Sequence, residues 1–493
     1  MLLFWHKYKY FPYERDLAIR EVQALFPGIA YTIKKEGIEL SIDVNAPHIQ
    51  EKLARLVYFS SYGTPPYYFQ TLQGQLESSN QKRQVTRYSS HGIHEYKGKF
   101  NPQIVHALLN IFSIMPGHVV LDPFCGSGTT LLECTHLDIY SQGTDINPLA
   151  VFIANTKQEA IETPAHVFYD ALTAIEKNFD KCGKVSIDCN TSRNKYLLQW
   201  FDQAILVDIE IVGYLLKQLP DKIQNFFLIV ASNMLRDYSL QDPSDLRIRR
   251  RKTAIPKTPF FTQFVEKAYE SIKSIESAQG VLGCKKGIGR AVCTDIRNLK
   301  SPTDKLFDFV VTSPPYATAL PYIDTQRLSL VWLGMIDPSQ IMPLDMSLIG
   351  SREIKKQQLL NVATLFDANQ REIPKSQHDF CKMLKETISL EDGFRRQAVP
   401  YLMYRYFADM RDMFSCVYKL VKKNSIFALV VGSNHTTLGG KRINIETPLH
   451  LSQIAQACNW DFQELIQLQT YQRYGYNMRN ATTSESLLVL RAK

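Results

Sequence analysis

Two short stretches hold residue types suited to chemistry. In VVTSPPYATALPYID, residues 310–324, an apolar run ends in Ser313, Pro314, Pro315 and Tyr316. Proline has no N–H and holds φ at about −65°, so the pair stops a strand and aims the carbonyls around Ser313 in preset directions. The result is a rigid set of hydrogen-bond acceptors beside an aromatic ring. In VVLDPFCGSGTTLLEC, residues 119–134, Gly126 and Gly128 permit a tight turn with close approach of backbone to a ligand. The first N–H groups of the helix that follows, near Thr129 and Thr130, can receive a polar or anionic group.

The loop's details narrow its ligand. A triphosphate-binding loop needs Lys where Thr129 stands, and the dinucleotide fingerprint needs a third glycine where Leu131 stands. Asp145, in GTDINPLAV, lies 23 positions after Asp122. That is where a nucleoside-binding sheet places the acceptor for a ribose diol. Asp295, in AVCTDIRNL, again ends a strand signal; it can accept from an adenine amine or cap the segment that follows. Phe124 can pack against a bound adenine or in the core. Asp122, Asp145, Asp295 and the glycine loop together indicate an adenosine-bearing cofactor at the carboxyl ends of neighbouring strands.

The elements that must position these residues are legible as strand signals alternating with helical stretches: HVVLDPF, SQGTDI, GRAVCTDI, FDFVVTS, SIFALVVG and ESLLVLRA. Such alternation predicts a mostly parallel sheet covered by helices on both faces. Between residues 161 and 284 strand signals thin out, and a helical insertion is expected. It ends in DLRIRRRK, where Arg247, Arg249, Arg250, Arg251 and Lys252 read as a phosphate-tracking strip, with a solvated charged face as the plain alternative. Residues 335–400 form a second interruption, and residues 91–160 and 285–493 supply the core. Residues 1–80 form a small N-terminal α/β accessory domain, in which Leu17, Ala18, Val22, Leu25 and Phe26 repeat at helical spacing before the strand-like GIELSIDV. The polar run QGQLESSNQKRQVTRYSSHG reads as a linker.

Composition sets outer bounds. A chain of 493 residues, 45% hydrophobic and 21% charged, is expected to form two or three globular domains. A net charge of +9 suits an acidic partner such as nucleic acid. Nine cysteines show neither zinc nor disulfide spacing, so reduced thiols, a cytoplasmic location and no metal are expected. No apolar run approaches the length of a membrane span.

The segments DPFCGSGTT, TSPPY and HEYKGKFNPQIVHALL resemble the cofactor motif, the catalytic motif and the cofactor-closing segment of the amino-methylating DNA methyltransferases. The resemblance covers roughly residues 91–157 and 290–335, more weakly FALVVGSN and SESLLVLRAK. It implies a Rossmann-like S-adenosylmethionine-dependent core with double-stranded DNA as partner, with or without a restriction endonuclease encoded alongside. It further implies cofactor contacts from Lys99, Phe100, Asp122, Phe124, Gly126, Gly128, Thr129, Asp145 and Asp295, with Lys97 as an additional closing or phosphate-contacting residue. In that family, Ser rather than Asp before Pro-Pro-Tyr mostly accompanies N4-cytosine methylation, so Ser313 favours cytosine.

On this reading Ser313 Oγ and the Pro314 carbonyl accept from the exocyclic amine, and Tyr316 offers its ring to a flipped-out base. Direct displacement needs no nucleophilic cysteine, and Cys125 is a small turn residue. Competing readings are N6-adenine methylation, N2-guanine methylation of transfer RNA, and a binding module with a decayed core.

Overall fold

All six strand signals of the core form strands of one central sheet. The computed structural model describes residues 1–42, 47–77, 83–179, 181–182, 185–286, 288–300, 306–317, 321–469 and 484–493. Part of the polar run, residues 78–82, and residues 318–320 after the Ser-Pro-Pro-Tyr segment lie outside the described residues.

The first seventy residues form an antiparallel sheet from β1 (Leu2–Trp5), β2 (Tyr31–Ile33), β3 (Gly37–Leu40), β4 (Phe59–Thr64) and β5 (Tyr67–Gln70), in the order β2-β3-β1-β4-β5. The helix Pro12–Leu25 buries Leu17, Ala18, Val22 and Leu25, the stripe expected from the 3.6-residue spacing. These residues do not close a core of their own. Leu3, Leu17 and Val22 pack in one apolar cluster with Val105, Leu108, Val120, Phe309 and Val430 of the half that holds the central sheet. Arg20 adds a two-pronged ion pair to Glu464 at 2.8 and 2.9 Å.

The central sheet contains β6 (Val119–Asp122), β7 (Tyr140–Asp145), β8 (Gly289–Cys293), β9 (Phe307–Thr312), β10 (Val421–Gly432), β13 (Trp460–Gln469) and β14 (Ser484–Ala492). Its order is β13-β14-β10-β9-β6-β7-β8. The β10, β9, β6, β7 and β8 neighbours pair in parallel, and β14 runs antiparallel to both β10 and β13. A hairpin of β11 (Asn434–Leu438) and β12 (Lys441–Ile445) follows β10. This is a Rossmann-like sheet with one reversed strand near its edge. Buried Val310, Val311, Leu429 and Leu488 make its middle strands apolar on both faces, as a helix-covered sheet requires.

Between β7 and β8 lie the helices Pro148–Glu162, Ala165–Phe179, Ser192–Leu198, Gln203–Leu216, Asp221–Tyr238 and Phe260–Leu282, with an irregular segment over 239–259 that holds the basic strip and a single bridge between Gln241 and Arg250. They carry their own core, including Phe168, Phe226 and Phe264, and the helix Tyr322–Trp332 adds Leu328 and Trp332 to it. The second interruption is also helical. There Phe366 packs edge-on to Tyr401 and Tyr404 of the helix Val399–Tyr418.

Candidate active site

From β6 the chain winds outward through β7 to β8, and then returns to the other side of β6 as β9 and β10. The winding therefore reverses between β6 and β9, and such a reversal opens a crevice at the carboxyl ends of the two strands. The glycine loop leaves β6 and Ser313 leaves β9, so the reversal brings the two motifs face to face. A cleft of roughly 1310 Å³ opens there, lined by Phe124, Gly126, Ser127, Thr129, Asp145, Asp295 and all four residues from Ser313 to Tyr316.

Asp122 joins the halves. Its Oδ1 accepts from Thr312 Oγ1 at 2.6 Å and Phe124 N at 3.1 Å, and its Oδ2 accepts from Thr130 Oγ1 at 2.5 Å. Three protein donors occupy a carboxylate that is 2% exposed, and burial pushes its pKa up to about 6. Instead of a free cofactor ligand, it is a brace between β6, β9 and the first helical turn. Asp145 Oδ2 accepts from Gly126 N at 3.0 Å and its Oδ1 from Asn147 N at 2.9 Å; burial raises this carboxyl to about 6 as well.

The two glycines do different work. Gly126 has φ +49° and lines the cleft, where an added Cβ would sit 3.1 Å from the Tyr96 ring. Gly128 has φ +79° and turns away: its Cβ would fall 2.7 Å from the Ala154 Cβ, so it serves packing between helices and not a ligand. Thr129 is 4% exposed at the start of the helix Thr129–His136 and still borders the cleft.

Other expected contacts divide similarly. Phe124 is half-buried against the core while bordering the cleft, and Phe100 does the same on the opposite side. Lys99 borders the cleft, but its ammonium donates to the Thr86 carbonyl at 2.7 Å, and burial lowers its pKa to about 7. Lys97 instead pairs with Glu95 at 2.7 Å. Asp295 caps the turn Ile296–Asn298 and chelates the Arg297 guanidinium at 2.6 to 3.0 Å, so its carboxylate is not free for an adenine amine. Arg297 also binds Asp409 at 2.8 Å.

The basic strip is not one continuous surface. Arg251 donates to the carbonyls of Asp237 and Ser239 at 2.6 and 3.0 Å, and Arg250 donates to the Gln199 carbonyl at 3.0 Å and lies over the Trp200 ring. Arg249 pairs with Asp245 at 3.2 Å and Lys252 is exposed. Arg247 reaches the cleft, where Arg87, Arg352 and Arg396 join it from distant parts of the chain. Burial, with Arg247 close by, lowers the Arg352 pKa.

In the Ser-Pro-Pro-Tyr segment the Tyr316 phenol donates to Glu485 Oε1 at 2.7 Å. The Asn434 amide donates to the Ala317 carbonyl at 2.8 Å, and Gly350 lets its loop pass so close that a Cβ would meet the Tyr316 carbonyl at 2.7 Å. Sequence reasoning missed Glu485, because nothing in SESLLVLRAK distinguishes it from an ordinary strand-end acid. It also missed Glu133, a fully buried carboxylate behind the glycine loop. Glu133 accepts from Tyr88 at 2.8 Å and contacts His91 and His106 at 2.7 and 2.9 Å, with His136 nearby. Burial opposes its charge, but these histidines hold the carboxyl well below its usual range. The network fastens the helix Thr129–His136 to the segment leading into Tyr96.

Residues 35–156 match the N6/N4 DNA methylase family, and this stretch contains the glycine loop and its flanking strands. Over this stretch the chain is similar to the amino-methylating DNA methylases. It is 24% identical over 291 residues to the type II methyltransferase M.MvaI of Kocuria varians, covering 55% of this chain and 63% of that protein. M.AvaI of Anabaena variabilis is 24% identical over 411 residues, covering 76% of this chain and 80% of the relative. A 68-residue stretch is 50% identical to M.MjaII of Methanocaldococcus jannaschii, covering 14% of this chain and 12% of that one.

S-adenosylmethionine is the family's methyl donor, and the cleft suits it. Beside the Asp145 carboxylate, Ser127 Oγ is buried with no partner among the described residues, on a loop whose Gly126 leaves room for a ligand. Among the described residues, no helix is long and apolar enough to cross a membrane.

Proposed function

We propose that this protein is a type II DNA methyltransferase that methylates the exocyclic N4 amine of cytosine. The observation that carries the reading is the juxtaposition of the glycine loop after β6 and Ser-Pro-Pro-Tyr after β9 in one cleft. S-adenosylmethionine supplies an electrophilic methyl group when bound. Asp145, Ser127, Thr129 and the loop backbone hold the cofactor, and Phe124 borders its adenosine end. Ser313 Oγ and the Pro314 carbonyl accept hydrogens of the target amine, whose lone pair is otherwise delocalised into the ring. Tyr316, anchored through its hydroxyl, presents its ring to the flipped-out base.

Double-stranded DNA is the partner that the cleft's charge favours. Arg247 from the first insertion, Arg352 and Arg396 from the second, and Arg87 from the segment before the sheet converge on one opening. Guanidinium groups gathered on one opening suit a polyanion. The choice of cytosine over adenine rests on Ser313, which replaces the acidic residue in front of Pro-Pro-Tyr.

The test is expression in a host without DNA methylation of its own, followed by sequencing that separates N4-methylcytosine from N6-methyladenine. N4-methylcytosine at one short recurring site is expected. N6-methyladenine would overturn the cytosine assignment, and an unmodified genome with folded protein would overturn DNA as substrate.

A further inference from the structure

We propose that Glu485 is the terminal proton acceptor of the reaction, reached from the substrate amine through Ser313 and Tyr316; the proposal rests on the amine-methylating function above. The chemistry demands an acceptor. When the N–C bond forms and the methyl–sulfur bond breaks, the amine nitrogen becomes positive and carries one proton more than the neutral product. Pro314 and Pro315 have no N–H, and a carbonyl oxygen can orient a proton without keeping it. A serine hydroxyl accepts a proton only while handing on its own.

The neighbours of Ser313 supply that continuation. Ser313 opens the same Ser-Pro-Pro-Tyr turn on the cleft wall, and the Tyr316 phenol donates to Glu485 Oε1 at 2.7 Å. All three residues line the cleft. Burial raises the phenol's pKa, and the adjacent Glu485 raises it further, so Tyr316 stays protonated and passes a proton only as it receives another. The balanced transfer is therefore amine N–H to Ser313 Oγ, Ser313 Oγ–H to Tyr316 Oη, and Tyr316 Oη–H to Glu485 Oε1. Glu485 then releases the proton to water in the open cleft.

The other carboxylates on the cleft wall are committed elsewhere. Glu95 pairs with Lys97, Asp245 with Arg249 and Asp295 with Arg297. Asp145 and Asp122 accept from the backbone of the loop they hold. Glu485, by contrast, is engaged by a neutral phenol. The sheet fixes this geometry, since Glu485 lies opposite Gly432 of β10 and Leu468 of β13. Among the described residues, Tyr322 also lies close enough to feel the Glu485 charge.

The experiment is single-turnover methyl transfer by the full-length protein with S-adenosylmethionine and methylation-free DNA, in H2O and in D2O mixtures. Glu485→Gln keeps an oxygen able to accept from Tyr316 and removes the proton acceptor. Its rate is expected to fall about 10²-fold or more, the usual scale for a lost general base, and its solvent isotope effect to change. Cofactor affinity measured by calorimetry should stay unchanged, which also reports folding. Tyr316→Phe should lose a similar factor, and the double variant should lose no more than either one. A Glu485→Gln rate within about threefold of the parent, with an unchanged isotope effect, would overturn the relay and leave Glu485 as a prop for Tyr316. No transfer to DNA by the unaltered protein would instead overturn the function on which the relay rests.

Discussion

Thr312 donates its hydroxyl to Asp122 Oδ1 at 2.6 Å, joining the last residue of β9 to the last residue of β6 across the point where the sheet reverses. The same carboxylate holds the start of the helix at Thr130. The cofactor loop and the catalytic motif are thus two ends of one buried hydrogen-bond network. Asp122→Ala leaves buried donors unpaired, at roughly 1–3 kcal/mol for each lost acceptor. Turnover should fall more than cofactor affinity, because both loops move relative to each other; a kcat against KM comparison checks this.

Burial also makes the Asp122 carboxyl a source of pH-dependent stability. Its folded pKa of about 6 lies above the ordinary value of 3.8. The folded state therefore binds the proton more tightly, and this contribution is fully present below about pH 4 and lost as pH rises through 6. Asp122→Asn should remove that slope. Chemical denaturation of parent and variant between pH 4 and 7 reads it as a difference.

Asp145 should give cofactor binding an acidic limb. Its carboxyl, raised to about 6, becomes protonated as pH falls below that value and loses an acceptor lone pair. Affinity for S-adenosylmethionine is expected to decline below pH 6 in the parent protein. In Asp145→Asn it should be weak at every pH, with a flat profile by calorimetry.

The two loop glycines should separate. Gly128→Ala forces a methyl group to 2.7 Å from the Ala154 side chain at a positive φ. It is expected to cost roughly 1–3 kcal/mol through overpacking, seen as a lower Tm. At Gly126 the obstructing atom is an edge of the Tyr96 ring at 3.1 Å, which can shift. Gly126→Ala should therefore change Tm less and cofactor affinity more.

The arginines should divide by where their guanidinium groups point. Arg247→Ala and Arg352→Ala should weaken DNA binding and each lower the salt slope by about 1. Arg251→Ala should lower Tm with the slope unchanged, because its guanidinium is tied to the Asp237 and Ser239 carbonyls. Fluorescence anisotropy at several salt concentrations distinguishes the two behaviours.

Several elements were legible because their signals are local. β6 and β9 are short, largely apolar runs, and Asp122, Asp145 and Ser313 stand at strand ends. β13 escaped notice because its sequence, WDFQELIQLQ, is half polar: it is an edge strand with much of one side in water, so burial imposes little pattern. The N-terminal residues read as a separate accessory domain because their helix and strand signals resemble those of any small unit. Their sharing of a core with Val120 and Phe309 comes from packing between distant segments, which no local pattern records.

The same division runs through the active site. From sequence alone came the two motifs, their order, the family they resemble and a basic surplus suited to DNA, because each depends on residue types at short spacing. Which side chains face the cleft was decided by the tertiary structure. Gly128 turned to Ala154, Asp295 was taken by Arg297, and Arg250 and Arg251 folded back onto carbonyls. Glu485 came within 2.7 Å of Tyr316 from 169 residues away. A side chain's partner is chosen by the reversal of the sheet and by the need to satisfy every buried polar group at once, and both are properties of the whole fold.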